Sequence, residues 1–234
     1  FYFRSIIMKL IPFILILLIA IFSSCGDSKI AEGEVEYEIS YPRGEVTGIL
    51  GAALPKTMNI VFKGSKMKTT IKKGRMFETV IISDESDESM KMYLDFDHQQ
   101  ICCELTKDEV KSLINSQPTY EIAATEEKDS LSGMWCQKYE VSSIAHDTMQ
   151  PGNAWFSNDL SINKGAWFSS YSSLKGFPVV YDVERYGIMM HATGLNFIKR
   201  EVKAEEFEVH SDFKQVDFET YENEVQILFD LLLP

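Results

Sequence analysis

Apolar and polar residues alternate with a period of two along most of the chain, which is the pattern of half-buried β-strands. Val35, Tyr37, Ile39 and Tyr41 alternate with Glu34, Glu36, Glu38 and Ser40, until Pro42-Arg43-Gly44 ends the run. Residues 48–55 are a Gly/Ala-rich loop with apolar content, read as a long hairpin loop or as a flap over a cavity. Met58, Ile60 and Phe62 then alternate up to a Lys63-Gly64-Ser65 turn, and Met67, Thr69 and Ile71 up to a Lys72-Lys73-Gly74 turn. A strand over 76–82 follows, and residues 83–89 separate it from Met90, Met92, Leu94 and Phe96. Asp97-His98-Gln99 turns the chain into a strand over 101–105. One helix interrupts this meander. Thr106 and Glu109 form a capping box, in which each side chain satisfies the other residue's orphan backbone N–H, and Val110, Leu113 and Ile114 follow at helical spacing. The pattern then predicts a strand over 120–125, a charged turn, a strand over 133–141, and its hairpin partner over 152–157. Residues 161–173 read as loop or short helix. Two long strands, 179–186 and 188–202, hinge at Gly187, and Phe207 and Val209 finish the sheet. Phe218, Tyr221, Val225, Leu228, Phe229 and Leu232 lie on one face of an amphipathic helix opened by Asp217. That helix packs back onto the sheet, or else covers a ligand or partner. The predicted fold class is mainly β, an antiparallel sheet with a capping helix and a C-terminal helix.

The N-terminal stretch, residues 8–25, follows another rule. Lys9 is a short basic start, residues 10–22 are apolar and uncharged, and Phe22-Ser23-Ser24-Cys25 closes the run. This is short of the about 20 residues that span a bilayer and fits the apolar region of a secretory signal peptide. A Cys directly after small residues resembles the lipobox of bacterial lipoproteins, with Phe22 where that motif usually has Leu. The resemblance implies that the Cys25 thiol is acylated and that the leader is removed, so that Cys25 begins the mature chain. A cleaved soluble protein and an uncleaved anchor are the alternatives. Residues 1–7 precede the first plausible start and carry no fold argument. The chain thus divides into leader (1–24), tether (25–32), sheet domain (33–210) and C-terminal helix (211–234).

Charge narrows the partners. Removing residues 1–24 takes away Arg4 and Lys9 and leaves 21 Lys and Arg against 35 Asp and Glu, a net of −14. Such a surface repels phosphate backbones, so no nucleic acid partner is expected. It also disfavours adsorption to anionic lipid, so membrane attachment must come from acyl chains, at about 0.8 kcal/mol per buried methylene. Gly26-Asp27-Ser28-Lys29 lacks an acidic cluster of the kind that resembles surface-export signals, which favours an outer membrane protein facing the periplasm.

With Cys25 committed to lipid, Cys102, Cys103 and Cys136 allow at most one disulfide. Cys102 sits on the polar face of its strand, and Cys136 lies between Met134 and Lys138, opposite Trp135, Tyr139 and Val141. These faces match, so a Cys102–Cys136 pair is one expectation and three buried thiols the other. No cofactor is expected, and no metal site either, because no C-x-x-C or H-x-x-x-H spacing occurs. The acidic 84–88 stretch lacks the Gly and terminal Glu of an EF-hand loop and reads as a solvated hairpin tip. His98, His146, His191 and His210 are scattered, without a nucleophile elbow or a phosphate-binding Gly loop, and the chain is expected not to be an enzyme.

Several motifs together resemble a known group. Gly133, Cys136 and Tyr139 on one strand, Trp155 with Asp159-Leu160, the Leu174-Lys175-Gly176-Phe177-Pro178 step and the closing Phe207-Glu208-Val209 are similar to the DUF4412 family of bacterial envelope proteins. More distantly they are similar to the GLPGLI family; His210-Ser211 departs from the family's Pro-Gly. The resemblance implies a fold similar to the LolA/LolB localisation factors, a curved antiparallel sheet forming an incomplete barrel with helices on its concave side. It brings no catalytic residues. Two functions follow. One is a module that binds an apolar molecule, lipid or acyl chain, in a cavity lined by Met58, Met67, Met76, Met90 and Met92, whose flexible side chains suit adaptable surfaces. The other is a structural or interaction lipoprotein with a filled core, in which these methionines are packing.

Overall fold

The computed structural model describes residues 29–42, 54–96, 99–144, 151–185, 188–209 and 212–232. In chain order the elements are β1 (Glu32–Ser40), β2 (Thr57–Lys63), β3 (Lys66–Lys73), β4 (Phe77–Asp84), β5 (Ser89–Phe96), β6 (Gln99–Leu105) and α1 (Lys107–Asn115). There follow β7 (Tyr120–Leu131), β8 (Met134–Ser143), β9 (Ala154–Ser157), β10 (Phe177–Arg185), β11 (Ile188–Ile198), a 3-10 turn (Ala204–Phe207), β12 (Lys214–Gln215) and α2 (Phe218–Leu232). Among the described residues these strands make one sheet, ordered β12-β6-β5-β4-β3-β2-β1-β11-β10-β9-β8-β7. Two antiparallel meanders, β1–β6 and β7–β11, are joined where β1 pairs with β11. The sheet is open, with β7 and β12 as its terminal strands.

Its curvature is measurable from the side chains. Phe62 on β2 and Phe177 on β10 are separated in the sheet by β1 and β11, which on a flat sheet would place them about 14 Å apart. Their ring centroids lie 5.8 Å apart. Extra residues help the strands bend: Leu195 is unmatched between the Glu36–Asn196 and Tyr37–Gly194 pairs, and Val179 between Pro178–Phe156 and Val180–Trp155. The concave face carries the alternating apolar set, including Val35, Tyr37, Ile39, Met90, Met92, Leu94, Ile101, Cys103 and Leu105, all buried. Fully burying each large apolar side chain contributes about 1.5–3 kcal/mol. Helix α1 starts at the capping box of Thr106 and Glu109 and buries Val110 and Leu113. Helix α2 starts with Asp217 Oδ1 accepting from the Thr220 N–H at 2.7 Å and buries Tyr221, Val225 and Leu228. The stretch 161–175 lays Ile162, Ala166, Trp167 and Tyr171 into the core.

Three sequence expectations are corrected. The strand expected at 120–125 continues to Leu131 through Glu126, Glu127, Lys128 and Asp129, and the turn falls at Ser132-Gly133, both at positive φ. As the terminal strand, β7 is mostly exposed, so charge does not oppose it and instead blunts edge pairing. The acidic 84–88 stretch is not wholly a solvated tip. Asp84 is buried in β4 and accepts from the hydroxyls of Ser65 and Ser86, and Glu85 accepts from Asn163 Nδ2 and the Lys164 N–H across the sheet's mouth. Phe207 and Val209 do not close the sheet. After β11 the chain is fastened to the outside of β1 and β2: Arg200 reaches Glu34 at 2.7 Å and takes Glu206 in a two-pronged pair, while Glu32 accepts from the Val202 N–H. The closing strand is instead β12, parallel to β6, so the sheet draws on residues beyond 210.

Arg200 also sets an acid response. Its bonds to Glu206, helped by the Lys203 N–H, hold that carboxyl down to about 2 from an ordinary 4.5. A carboxylate depressed in the folded state stabilises it above pH 4.5, and the contribution is lost as pH falls from 4.5 towards 2. Glu206→Gln should flatten the stability–pH curve across that window, modestly because both side chains are about a third exposed to screening water. Denaturant titrations at stepped pH read the effect, and coincident acid limbs would show the pair to be inert.

Candidate functional site

Between the concave face and its covers lies an apolar pocket of about 180 Å³. Strands β2 to β5 supply Met58, Ile60, Ile71, Phe77, Ile81, Met90 and Met92 from one meander, and β10 and β11 supply Tyr181, Val183 and Met190 from the other. Leu113 of α1, Tyr221, Val225 and Leu228 of α2, and Phe168 of the 161–175 stretch close it. The pocket therefore exists only because both meanders, both helices and the long connection converge. Among the described residues none that lines it is charged. Several polar groups in its wall bond to the protein: Tyr41 donates to the Pro55 carbonyl at 2.8 Å, Gln117 Nε2 to Leu113 at 3.2 Å, and Ser169 to Ala166 at 2.9 Å.

The five methionines separate here. Met58, Met90 and Met92 line the pocket. Met67 is buried in the core but away from the pocket wall. Met76 is 52% exposed, since its N–H closes a turn onto the Lys73 carbonyl and β4 begins one residue later. Phe77, Thr79 and Ile81 take the inward phase of that strand instead. Nothing in the alternation marks Tyr181, Val183 or the 161–175 cover as pocket wall; only Met190, on an alternating strand, carries the same signal as the other methionines.

Three tyrosines buttress the β10 side of the pocket. Tyr181 meets Tyr37 and Tyr171 edge-on, with centroids 6.1 and 6.2 Å away. Tyr37 donates its hydroxyl to the Pro178 carbonyl at 2.5 Å, and the Tyr171 hydroxyl accepts from the Asp182 N–H at 3.4 Å. The Leu174-to-Pro178 step that ends in this cluster needs its glycine. Gly176 has a φ of +94°, and a Cβ there would drive into the Ser157 carbonyl.

The Cys102–Cys136 disulfide is corrected: Cys102, Cys103 and Cys136 are free thiols. Eight strands lie between β6 and β8 in the sheet order, and the two sulfurs point to opposite faces. Cys136 is fully buried with Met134, and it is Trp135 that faces out, at 58% exposure. Cys102 faces outward against Phe213 and Gln215 of the β12 segment. Burial pushes Cys103 and Cys136 up to about 11 and raises Cys102 as well. In the native protein at pH 8, iodoacetamide should therefore label half-buried Cys102 before the other two, all of them slowly. Peptide mapping over a time course reads the order, and labelling of Cys136 first would contradict its placement.

On the convex side, buried Asp182 accepts from the Gly152 N–H and lies 2.6 Å from His191 Nδ1. This pair satisfies a buried carboxylate. His98, His146 and His210 lie outside the described residues, as do Cys25, the leader and most of the 48–55 loop. A groove of about 420 Å³ on the same side is lined mainly by Lys68, Glu78, Asp95, Glu208 and Asp212, with Phe213 edge-on to Tyr93. Among the described residues no cluster of three or more His, Cys, Asp or Glu is arranged to hold a metal ion. No helix among them is long and apolar enough to cross a membrane.

Strand order and covers define the class: an open, strongly curved, mainly antiparallel sheet whose hollow is filled by helices and one long connection. No family model matches the chain, and no curated protein matches it. Among solved structures, the chain is similar to a LolA superfamily protein from Nitrosomonas europaea at 9% identity, over 77% of this chain and 91% of that one, with a TM-score of 0.23.

Proposed function

We propose that this chain is a non-catalytic envelope lipoprotein that takes a short apolar group, such as the end of an acyl chain, into the pocket under α2. The observation that carries the ligand half is the pocket itself, uncharged and walled by Met58, Met90, Met92 and Met190, side chains that reshape around what they touch. Size limits the occupant. At about 180 Å³ the space falls below the roughly 300–1,000 Å³ of sites for drug-sized molecules. It slightly exceeds the about 150 Å³ of an engineered cavity that binds benzene. A ring or a few-carbon segment fits, and a whole lipid does not.

The anchor half rests on residues 8–25, in which Cys25 follows an apolar run and two serines. In this reading Cys25 carries the acyl chains, the chain sits at the outer membrane facing the periplasm, and residues 26–31 tether it to β1. The DUF4412-like motif residues fit it as structural positions, since Gly176 turns the chain and Phe177 and Cys136 are fully buried. A second reading, an interaction lipoprotein with a filled core, is favoured by one observation: Tyr221, Val225, Leu228 and Tyr171 are all buried in the hollow.

Two experiments test the halves separately. Cells fed labelled palmitate should label the wild type and not Cys25→Ser, and equal incorporation ends the anchor. Native mass spectrometry of protein gently extracted from its own membrane should show a co-purifying apolar mass. A clean apo mass supports the filled core.

A further inference from the structure

The geometry points to Tyr181 as the group that recognises the pocket's occupant, and to an occupant that bears an uncharged hydrogen-bond acceptor, such as an ester or ketone carbonyl, beside its apolar part. This rests on the reading of the pocket as a ligand site. Of the three tyrosines packed edge-on, Tyr37 gives its hydroxyl proton to Pro178 and Tyr171 accepts from the Asp182 N–H. Tyr181 is 8% exposed and lines the pocket; among the described residues its hydroxyl makes no hydrogen bond, and it is open to the pocket space rather than sealed in the wall. A tyrosine hydroxyl ordinarily pairs with protein or water, and one that opens only onto an apolar pocket is left to bond whatever enters there. Burial also pushes this phenol well above its ordinary 10, so it keeps its proton and has a bond to donate.

The rest of the wall narrows what can receive that bond. The hydroxyls of Tyr41, Ser169 and Tyr221 and the amide of Gln117 bond to backbone carbonyls. Thr69 and Thr79 are half-buried, within reach of water. Among the described residues no Lys, Arg or His lines the space, so a carboxylate entering it would lose its hydration with no cation of that lining to offset the loss. A neutral carbonyl loses far less and gains the Tyr181 bond.

The test compares 2-heptanone, heptane and hexanoate at pH 7 by ligand-observed NMR on the mature chain, wild type and Tyr181→Phe. The substitution keeps the ring and its edge-on contacts. The wild type should bind the ketone about three- to tenfold more tightly than Tyr181→Phe does, the worth of one neutral hydrogen bond. Heptane should bind both equally, and hexanoate should be the weakest of the three. Equal ketone affinity in both proteins, with heptane still bound, overturns the role of Tyr181 and leaves the pocket as a plain apolar site. Failure of the wild type to bind either ketone or heptane overturns the pocket reading and this inference together. Should Tyr181→Phe fold poorly, ring-labelled tyrosine in the wild type decides: the ketone shifts the Tyr181 signal beyond what heptane does, and identical shifts refute the bond.

Discussion

Phe177→Ala should lower the free energy of unfolding by about 3–5 kcal/mol, the usual cost of emptying a buried aromatic site. Phe177 is fully buried, at the first position of β10, and packs against Phe62 at 5.8 Å and Tyr37 at 6.5 Å. These three rings come from β10, β2 and β1, so one side chain spans the junction at which the two meanders meet. Collapse to refill the gap is hindered. Gly176 just before it is fixed at positive φ against Ser157, and Pro178 just after it receives the Tyr37 hydroxyl. The loss should therefore lie at the upper end of the range. Urea titration by fluorescence reads it, with Met76→Ala as the exposed control expected to stay within about 0.5 kcal/mol. A loss at Phe177 no larger than that at Met76 would contradict the packed junction.

Val225→Asp has the other large effect, of a different kind. Val225 sits at the middle of the buried stripe of α2, between Tyr221 and Leu228, and lines the pocket. A carboxylate there would have no cation among the described lining residues, and burying it unpaired costs more than releasing the helix. Release forfeits burial of three side chains at about 1.5–3 kcal/mol each. The expected state is therefore a chain whose sheet persists while α2 is detached and the pocket is open to water. Hydrogen exchange should show α2 amides losing protection while those of β1–β5 keep theirs, and a hydrophobic dye should bind more strongly. Unchanged α2 protection would mean that the helix is not held by its apolar stripe.

The parts of the fold legible beforehand are those where local chemistry and burial agree. In β1 to β6 one face is buried and the other meets water, so Val35, Tyr37 and Ile39 against Glu34, Glu36 and Glu38 read directly as strand and face. Thr106 with Glu109 and Asp217 with Thr220 mark helix starts through bonds made within three residues. Legibility failed where the decision is made at long range. On β8 the bulkiest residue, Trp135, points outward and small Cys136 inward, the reverse of what side-chain size suggests. The run after β11 looks like strand, yet Arg200 and Val202 are bound by Glu34 and Glu32, carboxylates whose alternation promised only a solvated face. The two residues of β12 are too short to show any period. The pocket follows the same division. Met58, Met90 and Met92 stand at inward positions of regular strands, whereas Tyr181 and the 161–175 cover enter it through the way the two meanders curl together.

That β1 finds its second neighbour only in β11 has a temporal consequence. Val35 lies beside Phe197, so as the polypeptide emerges from the ribosome the first six strands are complete long before β11 exists. Until then β1 offers a bare row of amide and carbonyl groups, a surface apt to recruit the wrong chain. Assembly must wait for β11 to be made, and pairing over so great a separation is slow. A polypeptide built this way gains from staying unfolded, under escort, until β11 has emerged.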